Sequence, residues 1–188
     1  MLVSKQRPGE VSMAKKKSPA PPPEFVDIVD AADRPLLVMP LAEAHRQALY
    51  HRSVMVLVYN AQGKLYLQKR GPNKSLYPNR FDLSATGHVR AGESRRDAAA
   101  RELYEELGLR AKTLAWIEDV PASQDTAYEF TTLFSAGHID EPPRPNPDEV
   151  AGGMFVDAGE LAALTRDYRD MLTPAVVRFF EQKALFMR

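Results

Sequence analysis

Between residues 87 and 109 the chain carries four glutamates, and three of them, Glu102, Glu105 and Glu106, fall within five positions of a stretch that otherwise reads as an amphipathic helix. Its fixed points are Gly87, Glu93, Arg101, Glu102, Leu103, Glu105, Glu106, Gly108 and Leu109. Ser94, followed three residues later by Asp97, reads as a capping box, and Gly108 supplies a C-terminal stop. The spacing therefore predicts a loop, a sharp turn and a helix that ends at Leu107. Ala99, Leu103 and Leu107 recur at i, i+4 and i+8 and form the stripe to be buried. Glu102, Glu105 and Glu106, at i, i+3 and i+4, then project together from another face. Like charges at that spacing cost roughly 0.2–0.5 kcal/mol per pair, and Arg101 relieves only part of this. A divalent cation removes the penalty, and clustered carboxylate oxygens are what hard Mg²⁺ or Mn²⁺ prefers. A solvated acidic face is the alternative, and three glutamates alone do not separate the two.

The rest of the chain frames this segment. A length of 188 residues suits one domain with a real core. Lys and Arg balance Asp and Glu, 25 against 25, so no global field draws the protein to nucleic acid or membrane. Cysteine is absent, which excludes disulfides, thiolate metal sites and a cysteine nucleophile. The longest apolar run, residues 54–59, is far short of the roughly 20 residues of a membrane span. No signal-peptide pattern opens the chain, so a cytoplasmic location is expected. Residues 1–24, with Lys15-Lys16-Lys17 and Pro21-Pro22-Pro23, read as a disordered basic and proline-rich arm, and residues 25–188 as a single domain.

Within that domain, strands are expected at residues 25–29, 36–39, 112–118, 128–136 and 155–156. Residues 53–59 and 64–69 read as a β-hairpin closed by Asn60-Ala61-Gln62-Gly63. Helices are expected at residues 41–50, 158–164 and 174–185, the last with Thr173 as N-cap and Pro174 in its first turn.

The fixed points match the Nudix box, G-x5-E-x7-R-E-U-x-E-E-x-G-U with U apolar, at every specified position. By average residue frequencies, a chance match is on the order of one in ten million. The chain resembles the Nudix family over roughly residues 49–150. That resemblance implies an α+β fold, an α/β/α sandwich around a mixed β-sheet with the box as a loop–helix–loop. It implies Glu102, Glu105, Glu106 and the Gly87 carbonyl as ligands of Mg²⁺ or Mn²⁺, and Glu93 and Arg101 as a supporting pair. The chemistry implied is water attack on phosphorus in a small-molecule diphosphate, with a glutamate taking the proton. Glu106 and Glu102 are the candidates for that base, with Glu149 as a contributor from outside the box. Trp116, Phe130 and Phe134 are read as core, with stacking on a base as the alternative.

Further residues resemble the branch of the family that includes isopentenyl-diphosphate isomerase. They are the stretch from Leu49 to Arg52, then Gln68-Lys69-Arg70, Lys74, and Ser84-Ala85-Thr86-Gly87-His88. By that resemblance Arg70 and Lys74 hold the diphosphate, and His51, His88 and Glu129 form a candidate second metal site. Hydrogen-bonded histidines that shape the pocket are the alternative. The isomerase's essential cysteine falls where this chain has Thr86, and the isomerase box is degenerate where this one is intact. Hydrolysis is therefore expected over isomerisation of a prenyl diphosphate. A nucleotide-sensing module without catalysis is the third reading, and the complete set of box glutamates argues against it. A homodimer is compatible with the sequence.

Overall fold

The computed structural model describes residues 23–186, so the expected arm lies outside the described residues except for Pro23 and Glu24. Strands β1 (Phe25–Val29) and β2 (Pro35–Pro40) form an antiparallel pair, followed by helix α1 (Leu41–Arg46). The helix is shorter than the sequence suggests. Ala48 takes a positive φ of 51°, which a continuing helix cannot accommodate, and the chain turns into β3 (His51–Tyr59).

β3 is the central strand. It runs parallel to β8 (Glu129–His138) along its length, and β8 pairs antiparallel with β7 (Ala115–Val120). The alternation of β3 decides what covers each face. Val54, Val56 and Val58 join the core under helix α2 (Arg95–Leu107), together with Ala99, Leu103 and Leu107. Leu57, with Met55 and Tyr59 packed at its margin, joins the core on the opposite face. Helices α3 (Ala158–Asp167) and α4 (Pro174–Glu181) cover that second face through Leu161, Val176, Val177 and Phe179. Helices on both sides of a mixed sheet make the α/β/α sandwich.

The expected hairpin survives only at its turn. β4 (Leu65–Arg70) meets β3 at the single pair Tyr59 and Leu65 and then diverges. β4 pairs instead with β9 (Val150–Val156) on one side and with β5 (Phe81–Asp82) on the other. β6 (Ala85–His88) pairs with β3. The segment from Phe81 to His88 is thus a wedge between two strands that open like a V. Ser84 sits at its crossing, fully buried, where its hydroxyl accepts from the Val58 N–H at 2.9 Å and donates to the Tyr66 carbonyl at 2.6 Å. Backbone groups that would face each other in a closed hairpin are satisfied by one side chain. The opening of the V is the floor of the site.

The box helix begins as expected, with the Ser94 hydroxyl accepting from the Asp97 N–H, and ends at Gly108, φ 65°. The capping box is not reciprocal, because the Asp97 carboxylate accepts from the Ser94 hydroxyl at 2.7 Å. Aspartate is one methylene shorter than the glutamate that closes such a box.

Candidate active site

The wedge delivers Asp82, Thr86, Gly87 and His88 to one end of the sheet, and α2 lies beside them. Arg101 ties the two together. Its guanidinium donates to both Glu93 oxygens, at 2.9 and 2.8 Å, and to the His88 carbonyl at 2.8 Å. Burial opposes ionisation of Glu93, yet this fork holds its carboxyl below the ordinary range. The same guanidinium reaches Glu102 at 2.5 Å and Glu105 at 3.1 Å. Arg90 adds a second contact to Glu105 at 3.3 Å.

The three glutamates differ in setting. Glu102 lies against Gly87, where an added Cβ would meet its carboxyl carbon at 2.0 Å. Only glycine leaves room for that carboxylate. Burial pushes the Glu102 carboxyl up to about 8, Arg101 opposing and Glu106 and Glu105 adding to the rise. Glu105 is half-exposed. Glu106 is fully buried, accepting from the Gln68 amide and the Thr86 N–H, both at 2.8 Å, with Lys74 at 3.5 Å. Burial pushes Glu106 up as well, against the pull of Lys74.

An open cleft of about 1140 Å³ runs alongside, lined among others by Gly87, Glu102, Glu105, Arg70, Lys74 and Glu149. Lys74 bridges Glu149, at 2.8 Å, and Glu106. Burial works to lower its ammonium pKa, but Glu106 and Glu149 hold it above the ordinary range. Glu149 reaches this position because Gly71 donates to its carbonyl at 2.8 Å, an approach so close that a Cβ on Gly71 would stand 2.7 Å from that oxygen. Arg70 is held by Asp82 at 2.8 Å, by the Leu76 carbonyl at 3.0 Å and by Thr86 at 3.3 Å.

Next to Gly87 in the chain, His88 joins His51 and Glu129 in one cluster, and the structure adds a residue the sequence reading did not assign, His45. Their potential ligand atoms all lie within 4.8 Å of one another. The Nε2 atoms of His88, His51 and His45 stand 3.3, 3.6 and 3.8 Å from one Glu129 oxygen. Only the first is a hydrogen-bond distance, and the buried Nε2 atoms of His45 and His51 have no hydrogen-bond partner. His51 donates from Nδ1 to the Leu49 carbonyl at 2.9 Å, which leaves Nε2 as the outward-facing atom. Burial opposes ionisation of Glu129, yet the three imidazoles hold its carboxyl well below the ordinary range. Burial also works to lower the His51 pKa, and Glu129 and the Leu49 carbonyl raise it above the ordinary value. Orphaned imidazole nitrogens facing one carboxylate oxygen have the donor chemistry of a cation site. The signal for His45 was its place six residues before His51 in a chain with four histidines. Its position inside α1 carried no pattern to mark it.

Glu102, Glu105 and Glu106 do not form such a converged group among the described residues. They are held apart by Arg101, Arg90 and Lys74, with the open cleft beside two of them. Trp116 is exposed and outside the cleft, and Phe134 is core.

Comparison with known proteins gives a consistent frame. The NUDIX domain model matches residues 49–174. An uncharacterized Nudix hydrolase of Pseudomonas aeruginosa is 37% identical over 137 residues, covering 71% of this chain and 78% of that protein. An isopentenyl-diphosphate Delta-isomerase of Nocardia farcinica is 35% identical over 144 residues, 73% of this chain and 82% of that one. A Deinococcus radiodurans crystal structure superposes with a TM-score of 0.72 at 27% identity, over 85% of this chain and 98% of its own. With the box, the sandwich and the family match in agreement, the chain belongs to the Nudix family.

Proposed function

We propose that the protein is a metal-dependent hydrolase that cuts the diphosphate linkage of a nucleoside diphosphate derivative or similar organic diphosphate by water attack on phosphorus. The observation that carries this is one cleft lined by box carboxylates, by Arg70 and Lys74, and by Glu149. Glu102, Glu105, Glu106 and the Gly87 carbonyl would hold Mg²⁺ or Mn²⁺. When bound, the cation neutralises charge on phosphate oxygens and lowers the pKa of water. Gly87 supports the fit, because its missing side chain is the space that the Glu102 carboxylate fills.

The chain's own residues do the rest. Arg70 presents a fixed guanidinium to the diphosphate, and Lys74 adds a second positive charge. Glu106, fully buried and hydrogen-bonded on both oxygens, anchors the helix to the wedge. Glu149 faces the cleft with Lys74 as its partner, and takes the proton of the attacking water in this reading. His45, His51, His88 and Glu129 would hold a second cation.

That second cluster, with the names of several relatives, favours one other reading, an isomerase-like reaction on a prenyl diphosphate. The chain has Thr86 at the position of that enzyme's cysteine and no cysteine elsewhere, which weighs against it. A turnover screen over a diphosphate panel with Mg²⁺ and Mn²⁺ in ¹⁸O-labelled water tests the proposal. Label on a phosphate product is the expected result. Double-bond migration in isopentenyl diphosphate without phosphate release, or no turnover of any diphosphate, would overturn it.

A further inference from the structure

Arg70 is not free to choose its position. It lies near the end of β4, where a long side chain at the mouth of a cleft ordinarily samples many rotamers, yet its Nε and Nη1 are both engaged. The strongest of these contacts is to Asp82, a carboxylate that is itself buried. Asp82 sits on the two-residue strand β5, inside the wedge, and each of its oxygens is used. Oδ2 accepts from Arg70 at 2.8 Å. Oδ1 accepts from the Leu83 N–H at 2.9 Å and from the Thr173 hydroxyl at 2.8 Å.

Thr173 is the N-cap of α4, and its hydroxyl also accepts from the Val176 N–H. The backbone fixes the same junction, with Thr173 donating to the Phe81 carbonyl at 2.9 Å and Leu172 bridged to Phe81. The start of the last helix is therefore connected to the cleft-lining arginine through one buried carboxylate. Nη2 of Arg70 makes no hydrogen bond among the described residues, where Nε and Nη1 make all three, and Arg70, Asp82, Thr86 and Thr173 all line the cleft.

We infer that Asp82 and Thr173 are positioning residues for diphosphate recognition: they lock the Arg70 guanidinium so that Nη2 meets the substrate, and they make the C-terminal helix part of the binding apparatus. A buried carboxylate whose oxygens are satisfied by a guanidinium, a backbone N–H and a helix-capping hydroxyl fixes direction as well as charge. Pre-organisation of this kind lowers the ordering entropy that a flexible arginine would lose on binding. The inference rests on the proposed role of Arg70.

The test is a double-mutant cycle on the full chain. Affinity for inorganic diphosphate is measured by calorimetry in Mg²⁺, and KM and kcat are measured on a substrate found in the panel. Asp82→Asn is expected to weaken diphosphate binding about tenfold, the scale of a lost charge-assisted hydrogen bond. KM should rise in parallel while kcat changes by no more than about twofold. Thr173→Val should shift both constants in the same direction, and Thr173→Ser should restore them. In an Arg70→Ala background neither substitution should weaken binding further. Equal losses with and without Arg70, or unchanged affinity in a folded Asp82→Asn protein, would overturn the inference. Should Asp82→Asn fail to fold, the Thr173 pair carries the same comparison. A wild-type protein that neither binds nor turns over any diphosphate overturns the proposed function instead, whereas an active wild type with an additive cycle overturns the relay alone.

Discussion

A methyl group on Gly87 would lie 2.0 Å from the carboxyl carbon of Glu102, so the box glycine and the box glutamate share one small space. The backbone at Gly87 does not require glycine by its φ, so the demand comes from the neighbour. Gly87→Ala is expected to leave the protein folded, since a flexible side chain can give way, while it moves the Glu102 carboxylate off its position. A displacement of about 1 Å at a catalytic group can cost on the order of a hundredfold in rate. Thermal unfolding and turnover, measured together, check this. An alanine variant of normal activity would separate Glu102 from the chemistry.

Glu102 is also expected to make the metal-free protein pH-sensitive. Burial raises its pKa from 4.5 to about 8, so the folded state holds a proton that the unfolded chain releases near its ordinary value. Wild-type stability should therefore fall as pH rises from about 4.5 to about 8, because the unfolded state binds fewer protons across that window. Glu102→Gln has no such proton to lose. In a chelator its melting temperature should exceed that of wild type at pH 8, and the gap should close towards pH 4. Saturating Mg²⁺ should narrow or reverse the order, since it stabilises only a site that binds it. A gap of the same size at both pH values would remove Glu102 as its source.

Glu105→Gln and Glu106→Gln are expected to abolish Mg²⁺-dependent turnover with the fold intact. The two should differ in stability. Glu105 is a half-exposed member of an ion-pair network, and its loss is expected to change stability by under about 1 kcal/mol. Glu106 accepts from Gln68 and Thr86 on one oxygen and from Lys74 on the other, so a glutamine that keeps the first two must turn its amide NH2 toward the Lys74 ammonium. Its variant should be the less stable by chemical denaturation. Activity near wild type in both would contradict their assignment as ligands.

How far the sequence could be read depended on whether a feature was local. The box helix was legible because cap, stripe and stop are all set by spacing within one element. Its partner Arg101 was legible too, eight residues from Glu93. The V between β3 and β4 was not, because alternation in two adjacent strands says nothing about what else each will pair with. Leu65 to Arg70 found longer partners in β9 than in β3, and the hairpin opened. Asp82 and Thr173, separated by 91 positions, became neighbours only through that opening. His45 was hidden for another reason, since a histidine in an alanine-rich helix has no periodic signature of the cluster it joins.

Ser84 is the residue on which the opened strands depend. Its hydroxyl satisfies both the Val58 N–H and the Tyr66 carbonyl in a fully buried crossing. Ser84→Ala leaves two buried backbone groups unpaired, at about 1–3 kcal/mol for each. Urea denaturation is expected to show a lower midpoint with an unchanged m-value. A loss under about 0.5 kcal/mol would mean that the strands close on each other once the hydroxyl is gone.

Tyr59 links the same central strand to the C-terminal segment, donating its hydroxyl to the Leu185 carbonyl. Burial pushes its phenol up from 10.0 to about 12. In the unfolded chain the phenol ionises near its ordinary value, so between about pH 10 and 12 the unfolded state releases a proton that the native state keeps. The stability contribution of Tyr59 is present below that window and falls as pH rises through it. A pH-jump experiment read by phenolate absorbance, completed before the protein unfolds, should show a late-titrating tyrosine that Tyr59→Phe removes. Tyr66 is raised in the same direction by burial and should remain in the variant as a phenol that titrates above the ordinary range. A variant that loses a phenol titrating near its ordinary value, with the late component unchanged, would place the Tyr59 hydroxyl in solvent and detach the C-terminal segment from β3.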